Sequence, residues 1–165
     1  MEHKTERQEQ GPSTVMVRPF EPGDREFILS LAPRLTIGIP AWRDPEKMLA
    51  TAEEWLTGSM DEHGEKTFVF VAQHPGGESL GFATVTHSKH FTGTPEAYLG
   101  ELVVSRDAEG QGVGRALVDA CLTWAQRQGY TILALSTGAA NEGARRFYDH
   151  LGFLEEDVRL VKLLS

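Results

Sequence analysis

The sequence has little of what marks several large protein classes. It contains a single cysteine, Cys121, so no intramolecular disulfide is possible. We interpret this thiol as a small buried residue rather than a nucleophile, because no basic side chain lies at helical spacing from it. No apolar run reaches the roughly 18 residues that a membrane-spanning helix needs, and the first ten residues are polar, unlike a signal peptide. We therefore expect a cytoplasmic protein without a membrane partner.

Basic clusters are also scarce. The chain carries 16 Lys and Arg residues against 24 Asp and Glu, a formal net charge of -8, and Arg145-Arg146 is its one basic pair. This balance argues against a nucleic-acid partner and is compatible with solubility or with a cationic amine substrate. The histidines of the polar loops lie apart, without a helical i,i+4 pair or cysteine neighbours, so we predict no metal site. They are His63, His74, His87 and His90.

The length of 165 residues fits one domain with a well-buried core. Residues 1–13 are predicted to form a disordered N-terminal tail, and residues 14–165 a single domain. Hydrophobic periodicity, caps and turn residues predict the order β-α-α-β-β-β-α-β-α-β-β. Strands are expected at residues 14–19, 68–72, 80–85, 98–104, 132–136, 153–154 and 158–161, helices starting near Asp24, Asp44, Gly112 and Asn141, and a polar loop over 87–96.

A glycine-rich turn, Glu109–Arg115, stands between the apolar run Leu102–Val104 and an amphipathic helical pattern. Glycines let a ligand approach the backbone closely, and the free N–H groups and dipole of a helix start attract phosphate oxygens. A P-loop would need Lys and then Ser or Thr where Arg115 and Ala116 stand, and the dinucleotide fingerprint fails at Arg115 or at Leu117. The turn therefore predicts a different phosphate-bearing ligand.

Together with a second segment, this turn resembles the GCN5-related N-acetyltransferase (GNAT) superfamily. The acyl-CoA pyrophosphate signature of that superfamily, Q/R-x-x-G-x-G/A, maps onto residues 109–114, with Glu109 in place of Gln or Arg. Residues 141–153 resemble its segment N-x-x-A-x-x-F-Y-x-x-x-G-F. The resemblance implies the acyl-CoA N-acyltransferase fold, a mixed α/β architecture. Its central sheet would have about seven mostly antiparallel strands with a splayed parallel pair, the fourth and fifth strands, and about four helices.

The resemblance also implies acetyl-CoA as co-substrate. Its pantetheine arm would pair with the main chain of Leu102, Val103 and Val104, and an N–H group near Val104 would hold the oxyanion of the reaction. The other cofactor-binding residues implied by the family are Gly110, Gln111, Gly112, Val113, Gly114, Arg115, Asn141 and Tyr148. Glu109 is expected to weaken binding slightly if it faces the pyrophosphate, with Arg115 as a compensating charge.

Two side chains receive catalytic roles from the resemblance. Tyr148 matches the tyrosine that protonates the leaving thiolate, and its alternative is an ordinary core tyrosine. Glu101 stands where several branches of the family carry a catalytic carboxylate, and a base is needed because a free alkyl amine, with a pKa near 10.4, is charged at neutral pH. Alternatively, Glu101 pairs with an Arg or faces solvent, and the proton leaves along a water chain.

The expected function is transfer of the acetyl group of acetyl-CoA to a primary amine of a small molecule, a peptide N-terminus or a lysine. Two alternatives remain: a regulatory module that binds acyl-CoA without turnover, which Glu109 favours, and a transferase for a longer acyl chain. The family places the acceptor walls at residues 36–43 and 87–96, where Trp42, Phe91 and Glu96 could contact an acceptor or anchor a loop. Homodimers are common in the family, so a homodimer is one expected state.

Overall fold

A five-stranded sheet forms the centre of the structure, a computed structural model that describes residues 14–165. The disordered tail predicted for residues 1–13 lies outside these described residues. The strands follow one another across the sheet in chain order: β1 (Met16–Pro19), β2 (Thr67–Gln73), β3 (Ser79–Lys89), β4 (Pro95–Val104) and β5 (Leu133–Leu135). Neighbours are antiparallel except for β4 and β5, which are parallel, as the resemblance implied.

Four α-helices connect or flank these strands, and the four predicted helices are confirmed. They are α1 (Arg25–Ser30), α2 (Pro45–Asp61), α3 (Val113–Arg127) and α4 (Glu142–His150). The predicted cap of α2 is present, because the Asp44 carboxylate accepts hydrogen bonds from the N–H groups of Glu46 and Lys47. Within residues 14–165 no helix is long and apolar enough to cross a membrane.

The prediction of about seven strands is not confirmed, since the described chain forms five. The segments 153–154 and 158–161 belong to no strand of the described sheet, which ends at β5. The loop expected over 87–96 is also shorter than predicted. Backbone pairing continues through Ser88 with Glu96 and Lys89 with Pro95, so polar side chains do not interrupt these strands and only residues 90–94 form the turn.

Helices cover both faces of the sheet. Successive residues of a strand point to opposite faces, and Phe82 of β3 packs with Ile28 and Leu56 from α1 and α2, while Val85 packs with Cys121 of α3 on the other face. Cys121 is fully buried, in agreement with its interpretation as a core residue, and burial raises its thiol pKa to about 12. The sheet is therefore held rigidly on both sides near its middle strands.

His63, which follows α2, packs between the rings of Phe20 and Phe68, and its Nδ1 accepts a hydrogen bond of 3.0 Å from the N–H of Val69. Burial lowers the pKa of His63 below the ordinary histidine value. As the pH falls, His63 is therefore protonated near pH 6.5 in the unfolded chain but only at lower pH in the folded chain. This effect predicts that stability falls as the pH drops from about 6.5 towards the lowered pKa.

Urea unfolding between about pH 7.5 and about pH 5 measures this loss. In His63→Asn the amide oxygen can still accept from Val69 but does not titrate, so the His63 part of the pH slope should disappear. His150→Asn is the matched control, since His150 is exposed at the end of α4. An unchanged slope in His63→Asn would contradict the assignment.

Candidate active site

The parallel strands β4 and β5 separate after three residue pairs. Residues 97–99 pair with residues 133–135, where β5 ends, whereas β4 continues to Val104. The β5-facing edge of residues 100–104 therefore has no strand partner in the described chain. Its main-chain N–H and C=O groups are free to pair with an extended ligand, as in the binding of a peptide to a sheet edge.

A β-bulge marks the start of this unpaired edge. Between two regular pairs of β3 and β4, Thr84 alone faces both Gly100 and Glu101. A Cβ on Gly100 would lie 2.8 Å from Thr84 Oγ1, so the glycine permits the close approach of the two strands. Bulges bend a strand and redirect its side chains. Here the bend lies at the start of the edge that leaves β5.

Glu101 is held by Thr84 at this bulge. The Thr84 hydroxyl donates to the Glu101 carboxylate and accepts a hydrogen bond of 3.0 Å from the Glu101 N–H. Thr84 itself is buried. Burial raises the pKa of Glu101, although the Thr84 hydrogen bond opposes that rise. A fixed carboxylate with a raised pKa has the properties of a general base near neutral pH.

The glycine-rich turn follows β4 and leads into α3. Gly110 and Gly112 have φ of 75° and 80°, a left-handed conformation that other residues rarely adopt. The first hydrogen bond of the helix joins the N–H of Ala116 to the carbonyl of Gly112. The N–H groups of residues 113–115 precede that bond, and no side chain caps them. A 15-residue helix thus presents free amides and its positive end beside the free edge of β4.

Gly114 brings α4 close to this helix start. A Cβ at Gly114 would lie 3.1 Å from the ring of Phe147, so the absence of a side chain allows α4 to pack against the first turn of α3. The next residue, Tyr148, packs edge-on against Phe147 and Phe153, with ring centroids 5.1 and 5.4 Å apart. The phenol therefore belongs to the apolar cluster between α3, α4 and the parallel pair of strands.

Burial, with a smaller contribution from the neighbouring Cys121 thiol, raises the pKa of Tyr148 to about 12. The Cys121 pKa is raised to about the same value by burial in the same cluster. Tyr148 therefore keeps its proton at neutral pH and can act as a proton donor to a group held beside it.

A segment after α1 crosses the open end of the sheet. Arg34, in a short 3-10 helix (Ala32–Thr36), donates a hydrogen bond to the carboxylate of Glu109 in the glycine-rich turn. Gly38, at φ 80°, approaches the start of α4 so closely that a Cβ there would lie 2.6 Å from Cβ of Asn141. Residues 34–38 thus connect the turn before α3 to the cap of α4 and lie over the gap between β4 and β5.

The predicted cofactor residues lie along this gap. Val103 is buried and Leu102 and Val104 are half-buried in β4, and all three lie on its free main-chain edge. Asn141 caps α4, its side-chain oxygen accepting from the N–H of Ala144 at 3.2 Å. Arg115 is exposed in the first turn of α3. The geometry therefore gathers the residues of the two sequence segments at one end of the sheet.

The residues expected on the acceptor walls are not all gathered there. Trp42 is half-exposed on the loop after Gly38. Phe91 lies in the turn between β3 and β4, at the opposite end of β4 from the glycine-rich turn, and is 93% exposed. Glu96 is buried near the start of β4. The structure thus places Phe91 and Glu96 away from the free edge of β4.

The contacts that Thr84, Arg34 and Gly38 make at this site were not predicted from the sequence, although Gly38 lies within the expected acceptor wall at residues 36–43. Thr84 is a polar residue inside an apolar strand, and that exception in the pattern could have singled it out. Arg34 and Gly38 gave no comparable signal, because their partners lie 75 and 103 positions away in the chain. No group of three His, Cys, Asp or Glu side chains in the described range 14–165 is arranged to hold a metal ion.

The sequence model of a family described as "Acetyltransferase (GNAT) family" matches residues 31–153. The chain is 30% identical over 148 residues to aminoglycoside N(6')-acetyltransferase type 1 of Klebsiella aerogenes, covering 87% of this chain and 91% of that protein. It is 29% identical over 154 residues to mycothiol acetyltransferase of Arthrobacter sp. (strain FB24), with 91% of this chain and 46% of that protein covered. Other N-acetyltransferases that it matches are covered over only 31% and 33% of their length.

Solved structures show the same fold. A putative acetyl transferase from Pyrococcus furiosus superposes with a TM-score of 0.73 at 22% identity, covering 91% of this chain and 99% of that one. AAC(6')-Iy in complex with the bisubstrate analog CoA-S-monomethyl-acetylneamine superposes with a TM-score of 0.66 at 23% identity, covering 93% and 100%. The mixed α/β fold with its five-stranded sheet therefore has counterparts among solved acetyltransferase structures.

Proposed function

Because the chain belongs to the GNAT family of acetyltransferases, we propose that it transfers the acetyl group of acetyl-CoA to a primary amine through direct attack on the thioester. The observation that carries this proposal is the free edge of β4 over residues 100–104, which opens beside the uncapped start of α3. The free edge of β4 suits an extended amide chain, and the uncapped start of α3 suits a pyrophosphate. Acyl-CoA joins these two chemical features in one molecule.

The main chain supplies the binding contacts in this proposal. The free N–H and C=O groups of Leu102, Val103 and Val104 pair with the amides of the pantetheine arm, and an N–H near Val104 holds the developing oxyanion. The amides of residues 110–115 bind the pyrophosphate, assisted by the helix dipole. Glycines at 110 and 112 leave this approach free of side chains, because nothing lies within 4 Å of the place a Cβ would take there.

Two side chains move protons. Glu101, with its raised pKa, takes a proton from the arriving ammonium directly or through one water, so that the amine nitrogen can attack the thioester carbon. Tyr148 donates its proton to the sulfur as the carbon–sulfur bond breaks and recovers one from the attacking nitrogen through solvent. One proton of the ammonium thereby reaches the thiol and the other leaves through Glu101.

One relative, matched over 91% of its length, is named for an aminoglycoside. This supports a small, cationic, amine-bearing molecule as the first acceptor to test, and a net charge of -8 would attract it. The alternative of a regulatory module without turnover is weakened by the Arg34 contact. The charge of the Glu109 carboxylate is neutralised by Arg34, so this acid is not left facing the pyrophosphate site.

Incubation with acetyl-CoA and an amine panel, followed by detection of free thiol, tests the proposal. The panel contains an aminoglycoside, a polyamine, a lysine peptide and a peptide with a free N-terminal amine, and an amine-free sample is the blank. Gly112→Val, which places a β-branched side chain at φ 80°, is the variant expected to lose coenzyme A binding. Binding without thiol release for any amine would favour the regulatory module, and absence of binding would refute the acetyl-CoA site.

The Arg34–Glu109 pair gives a separate prediction for coenzyme A affinity. Arg34→Gln leaves the Glu109 carboxylate uncompensated beside the pyrophosphate, so the dissociation constant should rise about twofold to fivefold. Glu109→Gln removes that acid and frees the guanidinium, so binding should tighten by a similar factor. Calorimetry with coenzyme A at low and high salt measures both, and the differences should shrink at high salt.

The double variant is the control for this pair, because both charges are then absent and the affinity should return close to that of the unchanged protein. Equal affinities of the two single variants would contradict the coupling of these side chains to the pyrophosphate site.

A further inference from the structure

The sheet face that α1 and α2 cover changes from apolar to polar along its length. Phe82 of β3 and its pair Val103 of β4 lie in the apolar cluster that these helices form with the sheet. Beyond them, towards the β3–β4 turn, the same face carries six side chains with hydroxyl or carboxylate groups. They are Thr84, Thr86 and Ser88 in β3 and Glu96, Tyr98 and Glu101 in β4. We call these six residues the polar floor.

Strand pairing places these six side chains on one face. In β3 the even-numbered residues from 82 to 88 alternate with residues that pack on the α3 side. Their partners in β4 point to the same side of the sheet, as in the pair of Ser88 with Glu96. The Thr84 hydroxyl donates to the Glu101 carboxylate across the same face. The polar floor therefore begins at Glu101, at the start of the free edge of β4, and ends at Glu96.

Glu96 is shielded from water but has no cation beside it among residues 14–165. It is only 8% exposed, and its carboxylate takes part in none of the ion pairs of this range. Asp24, which is 7% exposed, pairs with Arg18 at 2.8 Å. The described chain leaves no side-chain oxygen completely buried without a hydrogen-bond partner, so the tip of the Glu96 carboxylate still meets solvent. Because a shielded, unpaired carboxylate is costly, these facts point to a cation that binds from outside.

The spacing of the two carboxylates of the polar floor sets the length of a matching ligand. Glu96 lies opposite Ser88, and Glu101 lies opposite Thr84. The two acids are therefore four β3 residues apart, which is about 13 Å along the sheet. Tyr98 lies between them and is half-buried, and an aromatic ring attracts both methylene groups and cations. An extended chain with an ammonium group near each end fits this order of acid, ring and acid.

We propose, on the basis of the acetyl transfer proposed above, that the polar floor binds an elongated acceptor with two amines about 13 Å apart. One amine lies beside Glu101, loses its proton and attacks the thioester. The other stays an ammonium and pairs with the Glu96 carboxylate. The hydroxyl groups of Thr86, Ser88 and Tyr98 lie along the chain between the two amines. Glu96 thereby selects acceptors by the spacing of their amines, and it takes no part in the chemical step.

Steady-state kinetics with a homologous series tests this selection. The series contains unbranched diamines of four to twelve carbons and, at each length, the amino alcohol in which a neutral hydroxyl replaces the second amine. In the unchanged protein the ratio of kcat/KM for diamine over amino alcohol should peak at the length that spans about 13 Å. In Glu96→Gln the peak should vanish, with KM for that diamine about tenfold higher or more and kcat within about twofold. Glu53→Gln, which removes the same charge from an exposed position of α2, is the matched control and should keep the peak.

Calorimetry separates this inference from acetyl transfer itself. The same compounds are titrated into the protein with coenzyme A present, so that binding is measured without turnover. The long diamine should bind about tenfold more tightly than its amino alcohol, and Glu96→Gln should remove that difference. If no amine releases thiol from acetyl-CoA but this binding pattern holds, the transfer reaction is wrong and the diamine site stands. Equal binding of diamine and amino alcohol, or the same loss in Glu53→Gln, overturns the inference.

Discussion

Tyr148→Phe is expected to lower kcat about a hundredfold or more and to leave the dissociation constant of acetyl-CoA nearly unchanged. The substitution removes one hydroxyl from a ring that stays packed between Phe147 and Phe153. General acid catalysis by a positioned side chain contributes about 10²- to 10⁴-fold, and that contribution is lost when the leaving thiolate must take its proton from water. Steady-state kinetics with an accepted amine, together with calorimetry for acetyl-CoA, measures the two quantities.

Tyr130→Phe is the matched control for this result. Tyr130 is also a half-buried tyrosine with a polar partner, His87 at 2.5 Å, but it follows the C-terminal end of α3, far from the glycine-rich turn. Its kcat should stay within about twofold of the unchanged protein. If Tyr148→Phe retained full turnover, Tyr148 would be an ordinary core residue and the proton would reach the sulfur by another route.

Glu101→Gln is expected to lower kcat/KM about a hundredfold near neutral pH and to flatten the acidic side of its pH profile. In the unchanged protein the ionised carboxylate is the active form, so activity falls as the pH drops through the raised pKa of Glu101. Glutamine keeps the shape of the side chain but neither titrates nor accepts a proton. The pH dependence of kcat/KM in the two proteins measures the difference.

Thr84→Val gives the companion variant. The Thr84 hydrogen bond lowers the Glu101 pKa against the effect of burial, so its removal should move the acidic limb to higher pH without abolishing it. A structural role alone would reduce stability and leave the limb in place. An acidic limb that persists unmoved in Glu101→Gln would show that the proton leaves through water instead.

The stability of the folded protein provides a second measurement on Glu101→Gln. Because the folded chain holds the Glu101 proton to higher pH than the unfolded chain does, stability falls as pH rises through the interval between the ordinary and the raised pKa. Glu101→Gln lacks this loss. Its melting temperature should therefore exceed that of the unchanged protein at neutral pH and approach it at low pH.

Local patterns were sufficient for most of the elements. The start of α2 follows from a capping aspartate and a proline, and the start of α3 from Gly112, because caps and glycine turns act over three or four neighbouring residues. Strand ends were less well predicted. The expected loop over 87–96 is largely strand, since a ladder depends on the partner's backbone and not on the polarity of the residues in it.

The sequence by itself determined the order of helices and most strands and the position of the glycine-rich turn, and its resemblance to the family indicated Glu101 and Tyr148 as the acid–base residues to test. All of these depend on contacts within a few residues or on a motif of fixed spacing. Only the tertiary structure decided that β4 and β5 part after Leu99, that Thr84 holds Glu101 and that Arg34 neutralises Glu109. These contacts join residues 17 and 75 positions apart, and no local pattern encodes such a distance.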